Sequence, residues 1–347
     1  MKSMLMKDIG VLEYEDVPVP EIEPGGLLLK VESCALCATD IKLLNYGHTA
    51  IQYPHVLGHE IAGVVKKVSV ENAGIEPGDR VVLAPTLSCG NCWLCRKGAV
   101  TLCRDKKTFG YHFRGGFAEY MAVPKEAVDF GLVLPLPGNV SFEQGAVVEP
   151  LACAIHGQNL VNTQEEDTVV VIGLGPLGCM HVAVARARGA STIIASDIRR
   201  SRVDLAQPFN ADVYVDQGED DLRETVMAET DGRGADVVIV ATPAKSAIAL
   251  GVEIVACMGR VSIFGGLPQT DPVVQVDANV IHYREASLHG SFSASPEDCR
   301  KSISLVASGS IDASAFITHR MGLSHVEEGM ELVKQGESLK VILDPAG

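Results

Sequence analysis

Thr168-Val-Val-Val-Ile172, then Gly173-Leu-Gly175-Pro176-Leu177-Gly178, then the run from Cys179 to Gly189, then Ser191-Thr-Ile-Ile-Ala195-Ser-Asp197 read in succession as strand, glycine turn, helix and strand. The short Val/Ile run suits a strand buried on both faces. Three glycines follow at Gly-x-Gly-x-x-Gly spacing. The first allows a tight turn, the second lets backbone approach a pyrophosphate, and the third lets helix pack on strand. The helix N-terminus offers unpaired N–H groups and a positive dipole end to phosphate. Asp197 closes the second strand, where a carboxylate can accept hydrogen bonds from a ribose 2′-hydroxyl. The stretch therefore predicts a doubly wound parallel sheet with a dinucleotide at Gly173, Gly175, Pro176, Leu177, Gly178 and Asp197. The uncharged run 168–185 is long enough to span a bilayer, but three glycines, Pro176 and His181 interrupt it.

Working outward, residues 151–290 continue to alternate strand and helix. Ala235–Val240, Gly259–Phe264 and Ala286–Gly290 are further strand candidates, and the count predicts a six-stranded parallel sheet. Residues 1–150 differ. Short apolar runs at 26–31, 61–65, 79–83 and 117–123 are separated by Pro and Gly, which predicts a β-rich, barrel-like domain with long loops. The tail, 291–347, starts helix-like at Pro296 and ends in Leu339-Lys-Val-Ile-Leu343, a strand expected to return to the first domain.

Composition bounds the function. The 347 residues suffice for two domains. A formal net charge of −15 opposes nucleic-acid binding. Arg199, Arg200 and Arg202 form the one tight basic cluster, read either as helix surface or, at Arg199 and Arg202, as contact with the adenosine end of a cofactor. Met1-Lys-Ser-Met-Leu-Met-Lys-Asp8 has no apolar h-region, so a cytoplasmic protein without membrane association is expected. The ten cysteines then point to metal or burial rather than disulfides.

Cys89-Gly-Asn-Cys92-Trp-Leu-Cys95, followed by Cys103, places four thiols within fifteen residues. They can close tetrahedrally on one zinc, leaving no position for water, so the lobe 89–103 is expected to be structural. An iron–sulfur cluster is the competitor, but its usual run has the fourth cysteine after three residues and then proline. A second constellation is spread out: Cys37 in Cys34-Ala-Leu-Cys37-Ala-Thr39-Asp40, His59 in Gly58-His59-Glu60, and Glu149 in Val147-Val-Glu149-Pro150. Cys, His and carboxylate with one position open is the pattern of a catalytic zinc. Cys34-x-x-Cys37 could also be a redox pair, though it lacks a thioredoxin-like setting. Thr39 and Asp40 could simply cap the helix that follows.

These motifs, with Gly115-Gly-Phe-Ala-Glu-Tyr120, stand in an order that resembles the zinc-dependent medium-chain dehydrogenases over essentially the whole chain. The resemblance implies a GroES-like catalytic domain and a Rossmann domain. It places Cys37, His59, Glu60 and Glu149 around a catalytic zinc, Thr39 in proton transfer, and Cys89, Cys92, Cys95 and Cys103 on a structural zinc. Two zinc ions per chain and NAD are implied, with Asp197 disfavouring the 2′-phosphate of NADP and Arg199 and Arg200 keeping NADP open. Glu149-Pro-Leu-Ala152 resembles the polyol (sorbitol/L-iditol) branch, implying hydride transfer from a secondary alcohol of a polyol or sugar alcohol, giving a ketose or ketone. An L-threonine 3-dehydrogenase-like enzyme shares Cys37, His59 and Glu149-Pro150 and is the alternative; a catalytically inactive zinc-binding relative is the third reading. A small-molecule alcohol substrate and a homodimer or homotetramer are the implied partners. Two departures stand out. Lys42 occupies the position where many relatives carry the outer histidine of a proton relay, which His48 could replace. Ser293 stands where sorbitol enzymes carry an arginine that contacts substrate.

Overall fold

In the computed structural model, which describes residues 1–69 and 74–347, the Thr168–Ile172 strand lies inside a sheet of six parallel strands. The order across the sheet is Val213–Asp216, Thr192–Asp197, Thr168–Ile172, Ala235–Val240, Val255–Ile263 and Ser287–Gly290. Every residue of Thr168–Ile172 is buried, as a central parallel strand requires. Val169 pairs with Ile193 on one side and Val237 on the other. Strand order reverses beside this strand, and its C-terminal end is where an open α/β sheet binds ligand. The expected six-stranded sheet is thus found. Residues Cys153–Ser293 form this unit.

Met1–Ala152 and Ala294–Gly347 together form the other unit. Its main sheet has seven strands. Leu27–Ala35 is central, and its burial alternates over most of its length because one face meets the core. Glu60–Val68 and Tyr120–Val123 pair with it antiparallel. The tail strand Lys340–Asp344 also joins it antiparallel, Ile342 opposite Ala35 and Leu343 opposite Cys34. The last residues of the chain therefore lie beside the strand that leads into Cys37. Among the described residues, no helix is long and apolar enough to cross a membrane.

Candidate metal centres and dinucleotide turn

Cys37 ends the run after Leu27–Ala35 and caps the helix Ala38–Tyr46. Its sulfur accepts from the Thr39 N–H at 3.5 Å, while the Asp40 carboxylate accepts from the Cys37 N–H at 3.0 Å. This reciprocal capping box corrects the reading of Thr39 or Asp40 as the cap: Cys37 is the cap, and Asp40 is its third-position partner. His59 arrives from Gly58, whose φ of +94° suits glycine and whose would-be Cβ would collide with Phe117. Gly58 donates its N–H to Asp40 Oδ1 at 3.2 Å, and the His59 Nδ1 stands 3.3 Å from the same oxygen. Asp40, wholly buried, so holds the imidazole by one nitrogen and leaves Nε2 for another partner.

One donor atom each from Cys37, His59 and Glu60 lie within 4.8 Å of one another. Burial opposes charge on His59, but Asp40 and the Cys37 sulfur outweigh it and raise its pKa well above the ordinary imidazole value. A field that draws a proton draws a dication too, so thiolate, imidazole and carboxylate fit zinc in chemistry and in placement. Glu149 stands in the first turn of Val148–Leu160, outside that set of three donors, yet near enough to act on Glu60. Burial pushes the Glu60 carboxyl up to about 7, against the Lys340 ammonium that pulls it down. Lys340 in turn keeps its proton: burial opposes the charge, but Glu60 holds the ammonium above the ordinary lysine value. Thr39 is half-buried on the first turn of its helix, and Lys42 is exposed on the same helix. The Tyr111 ring lies between His59, at 6.4 Å, and His48, at 5.4 Å. Burial pushes the Tyr111 hydroxyl up to about 12.

The lobe brings its four cysteines together. Cys92 Sγ stands 3.5 Å from Cys95 Sγ and 4.0 Å from Cys103 Sγ, and Cys89 and Cys95 are 3.9 Å apart. Tetrahedral zinc–sulfur bonds of about 2.3 Å imply sulfur separations of about 3.8 Å, so one ion fits; a multi-iron cluster would hold the thiols farther apart. The short helix Trp93–Arg96 supplies the approach. Backbone N–H groups aimed at the Cys92 sulfur lower its pKa to about 6, favouring the thiolate a metal needs.

In the parallel-sheet unit the turn has the shape its spacing predicts. A Cβ on Gly178 would lie 1.8 Å from the Gly173 carbonyl oxygen, so helix and turn meet through bare backbone. A Cβ on Gly175 would meet no protein atom within 4 Å. That is the open ground a pyrophosphate needs, at the N-terminus of Pro176–Ala187. Pro176 fills the first helical position, where no N–H is missed, and Leu177 follows it. Asp197 Oδ2 accepts from the Leu174 N–H at 2.8 Å, and its Oδ1 accepts from Arg199 N–H at 2.9 Å. The carboxylate that would take a ribose hydroxyl is thereby braced to the turn. Arg199 caps the next helix, Arg200 pairs with Asp204, and Arg202 is 6% exposed.

Sequence reading missed Asp40 as an orienting carboxylate and Lys340 altogether. For Asp40 the signal was the Cys37-x-x-Asp40 capping spacing. For Lys340 it was a single charge inside Leu339-Lys-Val-Ile-Leu343, an apolar strand that demands a buried partner.

Comparison with known proteins agrees with this geometry. Residues 23–138 match the alcohol dehydrogenase GroES-like domain, and residues 176–308 match the zinc-binding dehydrogenase family. The chain is similar to an L-threonine 3-dehydrogenase of Bacillus subtilis, 34% identical over 351 residues that cover 99% of each protein. It is similar to a sorbitol dehydrogenase of Halalkalibacterium halodurans, 31% identical over 350 residues, again 99% of each. In structure it resembles a chain assigned as a zinc-binding dehydrogenase from Sinorhizobium meliloti 1021 bound to NADP, with a TM-score of 0.91, 32% identity and 99% of each chain covered.

Proposed function

Because the chain belongs to the zinc-containing medium-chain alcohol dehydrogenase family, and so is a zinc-dependent, NAD(P)-linked oxidoreductase, we propose that it oxidises a secondary alcohol of a polyol or sugar alcohol to the ketose or ketone with NAD. The observation that carries the reading is the donor set of Cys37, His59 and Glu60. When bound, zinc supplies Lewis acidity that acidifies an alcohol oxygen, as it brings water to a pKa of about 7, and the nicotinamide supplies the hydride acceptor. The chain's residues do the rest. Cys37 and His59 hold the metal, and Asp40 fixes the tautomer and direction of His59. Glu60 and Glu149 are the carboxylates of the site, and Glu60 is the one that shares donor distance with Cys37 and His59. Thr39 accepts the alcohol proton and hands it outward. Lys42 is exposed on the same helix as Thr39, and His48 beside Tyr111 offers a second outlet.

Gly173, Gly175, Pro176, Leu177 and Gly178 receive the pyrophosphate, and Asp197, with Arg199 and Arg202 behind it, receives the adenosine ribose. The Asp197 charge supports NAD; the NADP-bound relative and Arg199 support NADP as the second reading. Cys89, Cys92, Cys95 and Cys103 hold a structural zinc. Ala152-Cys153 after Glu149-Pro-Leu151 supports a polyol. The threonine dehydrogenase relative supports an amino alcohol as the second substrate reading. A homodimer or homotetramer is part of the same proposal.

The experiment is NADH or NADPH formation with a panel of polyols, sugar phosphates and L-threonine, with and without a strong zinc chelator. Chelator-sensitive activity on one polyol with NAD is expected, and Cys37→Ser or His59→Ala should abolish it while NAD still binds. Activity on threonine alone would transfer the protein to the second reading. Full turnover by Cys37→Ser would end the metal assignment.

A further inference from the structure

Among the described residues, Lys340 is the one buried lysine, 3% exposed. Its Nζ donates to the Leu36 carbonyl at 2.8 Å and pairs with Glu60 Oε2. Glu60 is itself wholly buried. Leu36 immediately precedes Cys37, and Glu60 immediately follows His59. One ammonium from the end of the chain therefore ties together the segments that carry two metal ligands. Stability alone does not explain it. Burying two charges costs desolvation, and a well-packed apolar pair often serves stability as well or better.

With a metal bound, the Glu60 carboxylate would face two cations. Lys340 pairs with its Oε2, and a carboxylate oxygen of the same group lies within 4.8 Å of donors of Cys37 and His59. The surroundings are rich in negative charge: Cys37, Asp40, Glu60 and Glu149 all act on this neighbourhood. With a single dication among them, Lys340 is the buried cation that reduces the surplus.

We propose that Lys340 is a positioning residue that shares the Glu60 carboxylate with the metal and holds it back from full ligation, so that a coordination position stays open to the alcohol. The proposal rests on the reading of Cys37, His59 and Glu60 as the reaction's metal site. Without the ammonium, Glu60 turns wholly to the metal, which is then held more tightly and is less accessible to substrate.

The test uses the full chain loaded with Co2+, whose visible bands report coordination number. Subtracting the spectrum of Cys37→Ser removes the contribution of the four-cysteine lobe. In Lys340→Met the difference spectrum should lose intensity as coordination rises. Metal release to a chelator should slow by about ten-fold, the scale of outer-shell effects on metal sites, and kcat should fall more than KM changes. Lys340→Arg should lie between the two. In a Glu60→Gln background, adding Lys340→Met should alter neither spectrum nor release, because Lys340 acts through that carboxylate. A folded Lys340→Met with two metals per chain and wild-type spectrum and release rate would overturn the proposal. Should Lys340→Met not fold, Lys340→Arg carries the test: a weaker difference spectrum and slower metal release than the wild type support the proposal, and wild-type values of both overturn it. A wild-type spectrum no different from that of Cys37→Ser would overturn the metal-site reading, and this proposal with it.

Discussion

At the residue scale, the site depends on side chains whose neighbours leave them little freedom. Asp40 accepts from the Cys37 and Gly58 N–H groups and stands against His59 Nδ1. Asp40→Asn keeps the shape but replaces an acceptor with a donor. Zinc affinity at the Cys37 site should fall roughly 10- to 100-fold, measured as metal release to a chromophoric chelator, while the lobe keeps its ion. His181 in the parallel-sheet unit gives a pH prediction. Burial lowers its pKa to about 3. Gln158 Nε2 stands 3.4 Å from its Nδ1 and donates to its carbonyl at 2.7 Å, and the ring packs edge-on to Phe264. The folded chain keeps this imidazole neutral, while the unfolded chain protonates it below about pH 6.5. Its stabilising contribution is therefore present above pH 6.5 and is lost as pH falls toward 3. Between pH 6.5 and 5 the loss is roughly 2 kcal/mol. Thermal unfolding at pH 7 and 5 should show that slope in the wild type and a smaller one in His181→Gln; equal slopes would refute the assignment.

At the scale of elements, two devices are legible because they are local. The glycine turn occupies six residues between a strand and a helix, and spacing alone dictates where backbone must be bare. The four-cysteine lobe needs only the fifteen residues 89–103 to bring its sulfurs within 4.8 Å of one another. This lobe has no regular element longer than the four residues Trp93–Arg96, so metal bonds rather than packing must hold it. Cys92→Ser should therefore lower zinc content from two ions to one and depress the melting temperature, whereas a lobe held by packing would melt unchanged. The helix Ala38–Tyr46 was less legible. Its cap is a cysteine, an uncommon choice, and the competing Thr and Asp beside it are the usual ones. Only the hydrogen bonds around Asp40 reveal that the capping box and the histidine support are one carboxylate.

At the scale of the whole molecule, the chain contains two units, and the segment after Ser293 belongs with the N-terminal one. Hydrophobic periodicity and punctuation by Gly and Pro identified the parallel sheet, the β-rich unit and the strand at 339–343, since these signals are written in consecutive residues. The resemblance of the ordered motifs supplied the chemistry: a cysteine, a histidine and a carboxylate for zinc, and a glycine turn for a dinucleotide. The substrate was not legible in the same way. Lys42 and Ser293 depart from the related patterns, and specificity depends on side chains drawn from distant segments. The sequence by itself thus determined the parallel sheet, the glycine turn and the four-cysteine lobe, because each rests on local spacing, while the dispersed Cys37, His59 and carboxylate set followed from the resemblance of the ordered motifs. Only the tertiary structure showed that Glu60 shares donor distance with Cys37 and His59. It alone showed that Asp40 braces the histidine and that Lys340, 304 residues beyond Leu36, reaches the same carboxylate. Such contacts arise when antiparallel pairing lays the last strand against the first long one, and no local pattern encodes which buried charge will meet which.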